Sequence, residues 1–241
     1  MNFSKDLFFY RTLPHFALEV IEKYLRIEVE GEENLPANGK AILVPNHSGF
    51  SGLDALLLSH WIYKSRRRIP RILLHRLFFF KGVMDAHARK FGFLKASYRN
   101  GLTALRKNNI VILFPEAERG NFKPINERYR LQDFKSGFIR MAHSTGAPVI
   151  PVLIIGAEET HINLGQVKVL NQLLPLPLNL FPLPAKWKIK FLKPLHFSQP
   201  KAVSDWDHEE KNSASGVRLH MQTALTQEVS RRNYIYFDQV M

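Results

Sequence analysis

The stretch AILVPNHSGFSGLDALLL (residues 41–58) joins two apolar runs through a short polar loop. The first run is continuous and β-branched, which is typical of a buried strand, and the last run begins a predicted helix over residues 53–63. Between the runs lie an asparagine, a histidine, two glycines and an aspartate. Because α/β domains bind ligands beyond the carboxyl ends of their strands, this loop lies where functional residues are expected.

Apolar runs and helix-like stretches alternate along the rest of the chain. Continuous runs predict buried strands and alternating runs predict half-buried strands, at RIEVEG, KAILVPN, NIVILFPE, PVIPVLIIG and WKIKFLKPL. Helix-like stretches cover residues 7–25, 53–63, 101–107, 136–144 and about 214–232. This alternation predicts an α/β fold with a mixed, mostly buried sheet flanked by helices. We expect an N-terminal helical segment (1–34), a central domain (35–200) and a C-terminal helix packing on that domain (201–241).

The composition excludes several kinds of chemistry. The chain has no cysteine, which rules out disulfides, thiolate zinc sites and a cysteine nucleophile. It has no P-loop, no G-x-G-x-x-G fingerprint, no H-E-x-x-H motif and no G-x-S-x-G elbow. Its net charge of +13 favours polyanionic partners, which are nucleic acid, anionic lipid surfaces or phosphorylated ligands.

The sequence does not predict a membrane-spanning helix. The longest charge-free stretch, residues 169–185, contains prolines 175, 177, 182 and 184, which disrupt a spanning helix. The first residues do not predict a signal peptide, because Asp6 and Arg11 interrupt the apolar run and no small-residue cleavage pattern follows. If the protein works on lipid, we therefore expect it to act from the membrane surface.

Three stretches suit a membrane surface, and each has an alternative. The Lys and Arg residues between positions 64 and 76 adjoin LFFF (77–80), which suits an anionic bilayer, a nucleic-acid patch or a solvated face. Phe16, Val20 and Tyr24 share one helical face, which lies either in the core or at an interface. LLPLPLNLFPLP (173–184) is either a membrane-dipping loop or a covered edge of the core. The sequence has no recognised nucleic-acid-binding module, so nucleic acid is not expected as a partner.

His47 and Asp54 are the first candidates for chemistry. A histidine acts as a general base when a partner fixes its tautomer through one ring nitrogen and leaves the other free. Asp54, at the start of the next predicted helix, is in a position to be that partner. The alternatives are a structural histidine and an aspartate that only caps its helix.

Two further loops carry charged residues after strands or before helices. VILFPEAERGNF (111–122) brings Glu116, Glu118 and Arg119 into a loop, either as a solvated turn or as a phosphate-gripping site. FGFLKASYRNGLTAL (91–105) sets Lys95 and Arg99 beside a helix start, either as surface charges or as part of an anion site.

These blocks, taken in order, resemble those of the phospholipid/glycerol acyltransferase family, which includes the lysophosphatidic acid acyltransferases. Asn46-His47 with Asp54 resembles the histidine–aspartate block of the family, and residues 92–99 resemble its glycine-to-arginine block. FPEAERG (114–120) resembles Phe-Pro-Glu-Gly-Thr-Arg, and APVIPV (147–152) resembles the proline-centred strand. Each block is weak alone, but four in this order over about residues 35–200 are fairly specific.

The resemblance implies an acyltransferase-like single domain that moves a fatty acyl group from acyl-CoA or acyl-carrier protein to a hydroxyl of a lysophospholipid or related glycerolipid. It implies His47 as the general base and Asp54 as its partner, without a covalent intermediate, bound cofactor or metal. It implies substrate binding, with the arginines on an acceptor phosphate and the glutamate orienting the acceptor or bracing its loop, by Asn46, Arg99, Glu116 and Arg119. The implied location is peripheral, on the anionic cytoplasmic face of a membrane.

The sequence departs from the family pattern at two places. Six residues instead of four separate His47 from Asp54, so SGFSGL has to bulge if the pair is to meet, as its glycines permit. Ala117 and Glu118 stand where the family has Gly-Thr, and Glu118 would repel a phosphate held by Arg119. We therefore expect a divergent member whose acceptor headgroup is not a simple phosphomonoester. The alternative hypotheses are a non-catalytic lipid-binding relative and, ranked below it, a basic nucleic-acid-binding protein.

Overall fold

The computed structural model describes residues 13–47, 51–75, 88, 90–169, 172–198 and 206–236. Of the stretches discussed above, residues 1–12, 48–50, 76–80, 170–171, 199–205 and 237–241 lie outside the described residues. The helices are α1 (Leu13–Tyr24), α2 (Leu53–Arg66), α3 (Tyr98–Arg106), α4 (Glu118–Asn121), α5 (Gly137–Thr145), α6 (Ala157–Thr160) and α7 (Trp206–Ser230). The strands are β1 (Glu28–Glu30), β2 (Ala41–Pro45), β3 (Arg71–Leu74), β4 (Phe93–Lys95), β5 (Ile110–Ile112), β6 (Val149–Ile155), β7 (Asn163–Val169), β8 (Gln172–Pro177) and β9 (Lys188–Phe191).

A seven-stranded mixed sheet forms the centre of the protein, in the order β1-β9-β6-β2-β5-β3-β4. Its strands from β6 to β4 are parallel, whereas β9 runs antiparallel to β6 and β1 is parallel to β9. Every residue of β2, β5 and β6 is buried, which explains why these strands are continuous apolar runs. The mixed α/β fold predicted from the sequence is confirmed.

The register of the central strands brings two functional loops together. Leu43 of β2 is paired with Ile112 of β5 on one side and with Ile150 of β6 on the other. Because these strands are parallel, their carboxyl ends share one edge of the sheet. The loop that begins at Asn46 and the loop that leads to Glu116 therefore start side by side.

Helices cover both faces of the sheet. Side chains of α1 and α2 pack in the apolar cluster on one face, and side chains of α3, α5 and α7 pack in the cluster on the other. Gly101 permits α3 to approach α5, since a Cβ there would lie 2.3 Å from the Met141 sulfur. Gly146, with a φ of 65°, ends α5 one residue beyond the predicted stretch 136–144.

Several elements differ from the sequence expectations. The helix α7 begins at Trp206, ahead of the predicted 214, whereas β1 lies within the predicted strand RIEVEG and pairs with β9. The expectations from the sequence also lack β3, β4 and the separate β7–β8 hairpin. The strands β3 and β4 have only four and three residues, too few to establish a periodicity, and β8 contains two prolines, which argue against a strand.

The N-terminal helix α1 is apolar on two faces. Leu18, Ile21 and Leu25 (just after α1) pack against the core, whereas Phe16 and Val20 are exposed. Of the two alternatives for the face with Phe16 and Val20, the structure excludes the core, because both side chains are exposed. Among the described residues, no helix has both the length and the apolar character needed to cross a membrane.

Candidate active site

His47 and Asp54 form a hydrogen-bonded pair at the carboxyl edge of the sheet. His47 follows β2, Asp54 lies in the first turn of α2, and their Nδ1 and Oδ2 atoms are 2.8 Å apart. The Asp54 side chain is completely buried, whereas 15% of the His47 side chain is exposed. Since Asp54 engages Nδ1, the second ring nitrogen, Nε2, is left to exchange a proton with a substrate.

The longer loop still lets the two side chains meet. Six residues intervene, and Gly52 just before α2 adopts a φ of 70°, a conformation that favours glycine. The second oxygen of Asp54 accepts a hydrogen bond from the Ala55 amide at 2.7 Å. A carboxylate in the first turn of a helix is also stabilised by the helix dipole. These contacts hold the Asp54 carboxyl group in place as the hydrogen-bond partner of the imidazole.

The His47 ring and backbone are fixed from two further directions. The ring stacks on Phe114, with centroids 4.2 Å apart and planes 30° apart. The His47 amide donates to Glu116 Oε1 at 2.9 Å. Asp54, Phe114 and Glu116 together hold the imidazole in one orientation, which a general base requires.

Glu116 joins two loops through its side chain. Its side chain is fully buried, and its Oε2 accepts a hydrogen bond from the Gln132 amide at 2.7 Å. Lys123 Nζ lies 3.8 Å from the same oxygen. Gly120 packs directly on this side chain, since a Cβ there would lie 2.5 Å from Glu116 Cβ. Of the two roles expected for Glu116, the structure favours bracing, because both oxygens already have partners.

Asn46, expected from the family resemblance to bind substrate, extends the β2–β6 pairing. Its amide group donates to the Ile154 carbonyl at 2.9 Å and accepts from the Ile154 amide at 2.7 Å. The side chain is fully buried. Both polar ends of the side chain thus bond to Ile154, and substrate binding by Asn46 stays a prediction. Asn46 fixes where the chain turns into His47.

A buried ion pair between Lys123 and Glu158 lies next to Glu116 and supports it. Lys123 Nζ donates to Glu158 Oε1 at 3.1 Å and to the Arg130 carbonyl at 3.2 Å. The Tyr129 amide donates to Glu158 Oε2 at 3.1 Å. Burial raises the pKa of Glu158 to about 7, while the charge of Lys123 acts in the opposite direction. Sequence reasoning missed this pair, since Lys123 and Glu158 are 35 residues apart and neither lies in a motif.

A second buried cluster adjoins the first at Tyr129. The Tyr129 hydroxyl donates to Glu159 and accepts from Arg232 Nη1 at 2.9 Å and from the Gly156 amide at 2.9 Å. Burial raises the pKa of Tyr129 well above its ordinary value, and the Glu159 charge adds to this shift. The cluster ties the residues after α7 to the loop that carries Gln132 and Lys123.

A family match covers this part of the chain. The sequence model described as Acyltransferase matches residues 26–155, more than half of the chain. The chain belongs to the Acyltransferase family. The family predicted from the four sequence blocks is thereby confirmed, and the matched residues include the His47–Asp54 pair and Glu116.

Two mycobacterial proteins are similar to this chain. An uncharacterised protein of Mycobacterium leprae is 33% identical over an alignment of 250 positions, which spans 93% of this chain and 68% of that protein. An uncharacterised protein of Mycobacterium tuberculosis is 34% identical over 206 residues, which cover 76% of this chain and 58% of that protein. The chain therefore spans 58% to 68% of the length of these two relatives.

More distant similarities include proteins with a named activity. A 1-acyl-sn-glycerol-3-phosphate acyltransferase of Borreliella burgdorferi is 24% identical over 144 residues, which cover 57% of this chain and 54% of that protein. The crystal structure of the 1-acyl-sn-glycerophosphate acyltransferase PlsC from Thermotoga maritima is similar in fold. The TM-score is 0.59 at 21% identity, over 93% of this chain and 84% of that one. At this identity the structural match shows the fold alone.

The two arginines that the acyltransferase resemblance assigns to an acceptor phosphate are both exposed. Arg99 lies in the first turn of α3, after the N-cap Ser97, whose hydroxyl accepts from the Asn100 amide at 3.1 Å. Arg119 lies in α4, next to Glu118. Glu118 Oε1 is 3.3 Å from His75 Nε2, and both side chains are about half exposed. Both arginines thus remain accessible to an anion, while Glu118 has a cationic partner when His75 is protonated.

Ala117 adopts a backbone conformation that suits the glycine of the family pattern. Its φ is 52° and its ψ is −139°, a combination that is strained for a residue with a Cβ. The turn at this position directs Glu116 inward and α4 outward. The chain therefore keeps the turn of the family pattern although it has alanine in place of the glycine that adopts this conformation without strain.

Proposed function

We propose that this chain is an O-acyltransferase that moves a fatty acyl group from a thioester to a hydroxyl of a lysophospholipid or related glycerolipid. The observation that carries the proposal is the 2.8 Å contact between His47 Nδ1 and the buried Asp54 Oδ2. Membership of the Acyltransferase family supports the reaction class. Similarity to a bacterial 1-acyl-sn-glycerol-3-phosphate acyltransferase supports a glycerolipid acceptor.

The proposed reaction needs one proton carrier. The acceptor hydroxyl attacks the thioester carbonyl while His47 takes the hydroxyl proton on its second ring nitrogen. A carbon–oxygen bond forms, the carbon–sulfur bond breaks, and the imidazolium returns the proton to the departing thiolate. Asp54 stabilises the imidazolium while it exists. General-base catalysis of this kind contributes about 10²–10⁴-fold, and the positioning of both substrates contributes further.

The donor in this proposal is acyl-CoA or acyl-carrier protein, which acts as a substrate, so the reaction requires neither a bound cofactor nor a metal. Arg99 and Arg119 are proposed to attract the acceptor headgroup, since both are exposed and cationic. Glu118 beside Arg119 favours a headgroup other than a simple phosphomonoester, because a dianion would meet a carboxylate there. We propose a peripheral location on the anionic cytoplasmic face of a membrane, and the net charge of +13 supports an anionic surface.

Labelled substrate tests this function directly. The purified chain is incubated with a mixed lipid extract and either labelled acyl-CoA or labelled acyl-carrier protein, and labelled lipids are identified by mass spectrometry. We expect one class of glycerolipid to gain the label with wild-type protein and not with His47→Ala. His220→Ala, at an exposed histidine of α7, is the matched control.

Two other outcomes would replace the proposal. Binding to liposomes without labelling of any lipid would favour the non-catalytic lipid-binding alternative. Steeply salt-dependent binding to nucleic acid without binding to anionic liposomes would favour the nucleic-acid alternative.

A further inference from the structure

The β7–β8 hairpin presents an apolar face to solvent. On β8 the side chains alternate in exposure, so Leu174 and Leu176 are exposed while Pro175 and Pro177 are partly covered. Val167 of β7 is paired with Leu174 and is exposed with it, as cross-strand partners lie on the same face. A half-buried strand of a soluble sheet normally shows polar residues on its outer face. This hairpin shows leucine there.

The apolar face continues into the loop after β8. Leu178 and Leu180 keep the alternation, and Leu180 is 76% exposed. Phe181 follows with 87% of its surface exposed, more than any other large apolar side chain among the described residues. Asn179 holds the loop in shape, since its amide group bonds to the Thr160 carbonyl and to the Ile162 amide, each at 2.9 Å. The exposed leucines therefore belong to an ordered loop.

The exposed face of α1 joins this loop. Phe16, Val20 and Tyr24 lie one turn apart along α1, and all three are exposed. The Tyr24 hydroxyl donates to the Pro182 carbonyl at 2.9 Å, so the end of this stripe touches the loop. We call the combined residues of the hairpin, the loop and α1 the apolar surface: Phe16, Val20, Tyr24, Leu164, Val167, Leu174, Leu176, Leu178, Leu180 and Phe181.

One buried histidine connects the apolar surface with the loop of the catalytic pair. His161 lies between α6 and β7, and its Nδ1 is 3.3 Å from the Ser51 hydroxyl in the His47–Asp54 loop. Burial lowers the pKa of His161, and a hydrogen bond with the Leu180 backbone acts in the opposite direction. The same ring thus contacts the loop of the catalytic pair and the loop that carries Leu180 and Phe181. The apolar surface therefore lies close to the candidate active site.

We propose that the apolar surface docks this chain onto an anionic phospholipid bilayer and brings the His47–Asp54 pair to lipid substrates; the inference deepens the proposed function and rests on it for the nature of those substrates. Large exposed apolar patches mark interaction sites. Projecting leucine and phenylalanine side chains fit a fluid acyl layer, and the net charge of +13 complements anionic headgroups. Exposed Lys23 lies on α1 beside Tyr24, where it can reach such headgroups.

A single dye tests the docking without turnover. Because the chain has no cysteine, Phe181→Cys accepts one nitrobenzoxadiazole dye, and Leu219→Cys on α7 gives a control at a site that is 64% exposed. With vesicles of phosphatidylcholine and phosphatidylglycerol, we expect the emission at 181 to rise at least twofold and shift to the blue. The dye at 219 should not change, and vesicles of phosphatidylcholine alone should give a weaker response at 181.

A pair of aspartates then tests the consequence for transfer. We expect Leu180→Asp/Phe181→Asp to weaken binding to the anionic vesicles at least tenfold, while Leu219→Asp binds as wild type does. The rate on an acceptor embedded in vesicles, divided by the rate on a short-chain monomeric acceptor, should fall by a similar factor. If wild-type protein transfers no acyl group, the dye still reports docking, so failure of the proposed function is distinguishable from failure of this inference.

Three results would overturn the inference. Equal dye responses at 181 and 219 would place the bilayer contact elsewhere. A dye at 181 that is already shielded without vesicles, and that becomes exposed when residues 1–12 are removed, would make that segment the occupant of the surface. A dimer in light scattering that the two aspartates dissociate, with no vesicle response, would make a second copy of the chain the occupant.

Discussion

The candidate active site and the apolar surface differ in which side chains they bury and which they expose. Around His47, charged groups are buried and paired: Asp54, Glu116, Lys123 and Glu158 all have partners within the chain. On the apolar surface, leucine and phenylalanine side chains are exposed on an ordered hairpin and loop. Burying charge and exposing leucine both cost stability. We therefore interpret the candidate active site as the region that holds the catalytic geometry. We interpret the apolar surface as the region that contacts a partner outside the chain.

The largest expected effect concerns the aspartate of the pair. Asp54→Asn keeps the shape of the side chain but removes the charge that stabilises an imidazolium and fixes its tautomer. We expect the rate of acyl transfer to fall about 10²–10⁴-fold, with a modest effect on binding of the acceptor. Steady-state rates by product mass spectrometry measure this, with circular dichroism to verify folding. Asp133→Asn, at a side chain that is 83% exposed, is the control, and equal rates for the two variants would contradict the role given to Asp54.

The buried Glu158 predicts a pH dependence of stability. Burial raises its pKa to about 7 from 4.5, so between these values the folded chain binds more protons than the unfolded chain. The stabilisation that Glu158 provides in its protonated form is complete below about pH 4.5 and is lost as the pH rises through 7. The loss lowers the free energy of unfolding by about 3 kcal/mol.

Glu158→Gln does not titrate and should therefore flatten the decline in stability between pH 5 and pH 7. Urea unfolding at several pH values measures the difference in slope between the variant and the wild type. Glu209→Gln, on the exposed side of α7, removes a like charge and is the control. Parallel profiles for wild type and Glu158→Gln would show that Glu158 does not titrate in this range.

A smaller effect is expected at the strained turn after Glu116. Ala117→Gly relieves the positive φ of 52°, and this gain exceeds the added freedom of the unfolded chain. We expect the free energy of unfolding to increase by about 1 kcal/mol with acyl transfer retained. Ala17→Gly, in the ordinary helical backbone of α1, should instead decrease it by about 1 kcal/mol. Urea midpoints of both variants measure the signs, and a loss at both positions would mean that Ala117 is not strained.

The smallest effect on stability is expected on the apolar surface. Leu176→Ser removes an exposed side chain, so the free energy of unfolding should change by no more than about 0.5 kcal/mol, while binding to anionic vesicles weakens. Leu43→Ala, in the buried strand β2, should cost about 2–5 kcal/mol. Thermal unfolding and vesicle co-sedimentation measure the two quantities, and a destabilisation by Leu176→Ser that approaches that of Leu43→Ala would show that the hairpin face is covered.

Features that depend on residues close together in the sequence could be predicted from it, whereas features that depend on contacts between distant residues could not. The buried strands could be predicted because every residue in them is apolar, and His47 and Asp54 were candidates because four sequence blocks in order resemble those of one family. The Lys123–Glu158 pair could not be predicted, because it depends on two loops meeting in space. The bonds of Asn46 to Ile154 could not be predicted either, because the two residues lie 108 positions apart. The exposure of LLPLPLNLFPLP was undecided, because apolar composition does not show what covers a strand.

The most direct test of the account is the rate of acyl transfer by His47→Ala beside wild type and His220→Ala, with the acceptor that the labelling experiment identifies. Because His47 carries the proton in the proposed reaction, we expect the rate to fall at least about 100-fold with His47→Ala. His220→Ala should transfer at the wild-type rate. A folded His47→Ala protein that transfers acyl groups as fast as wild type would contradict the central claim.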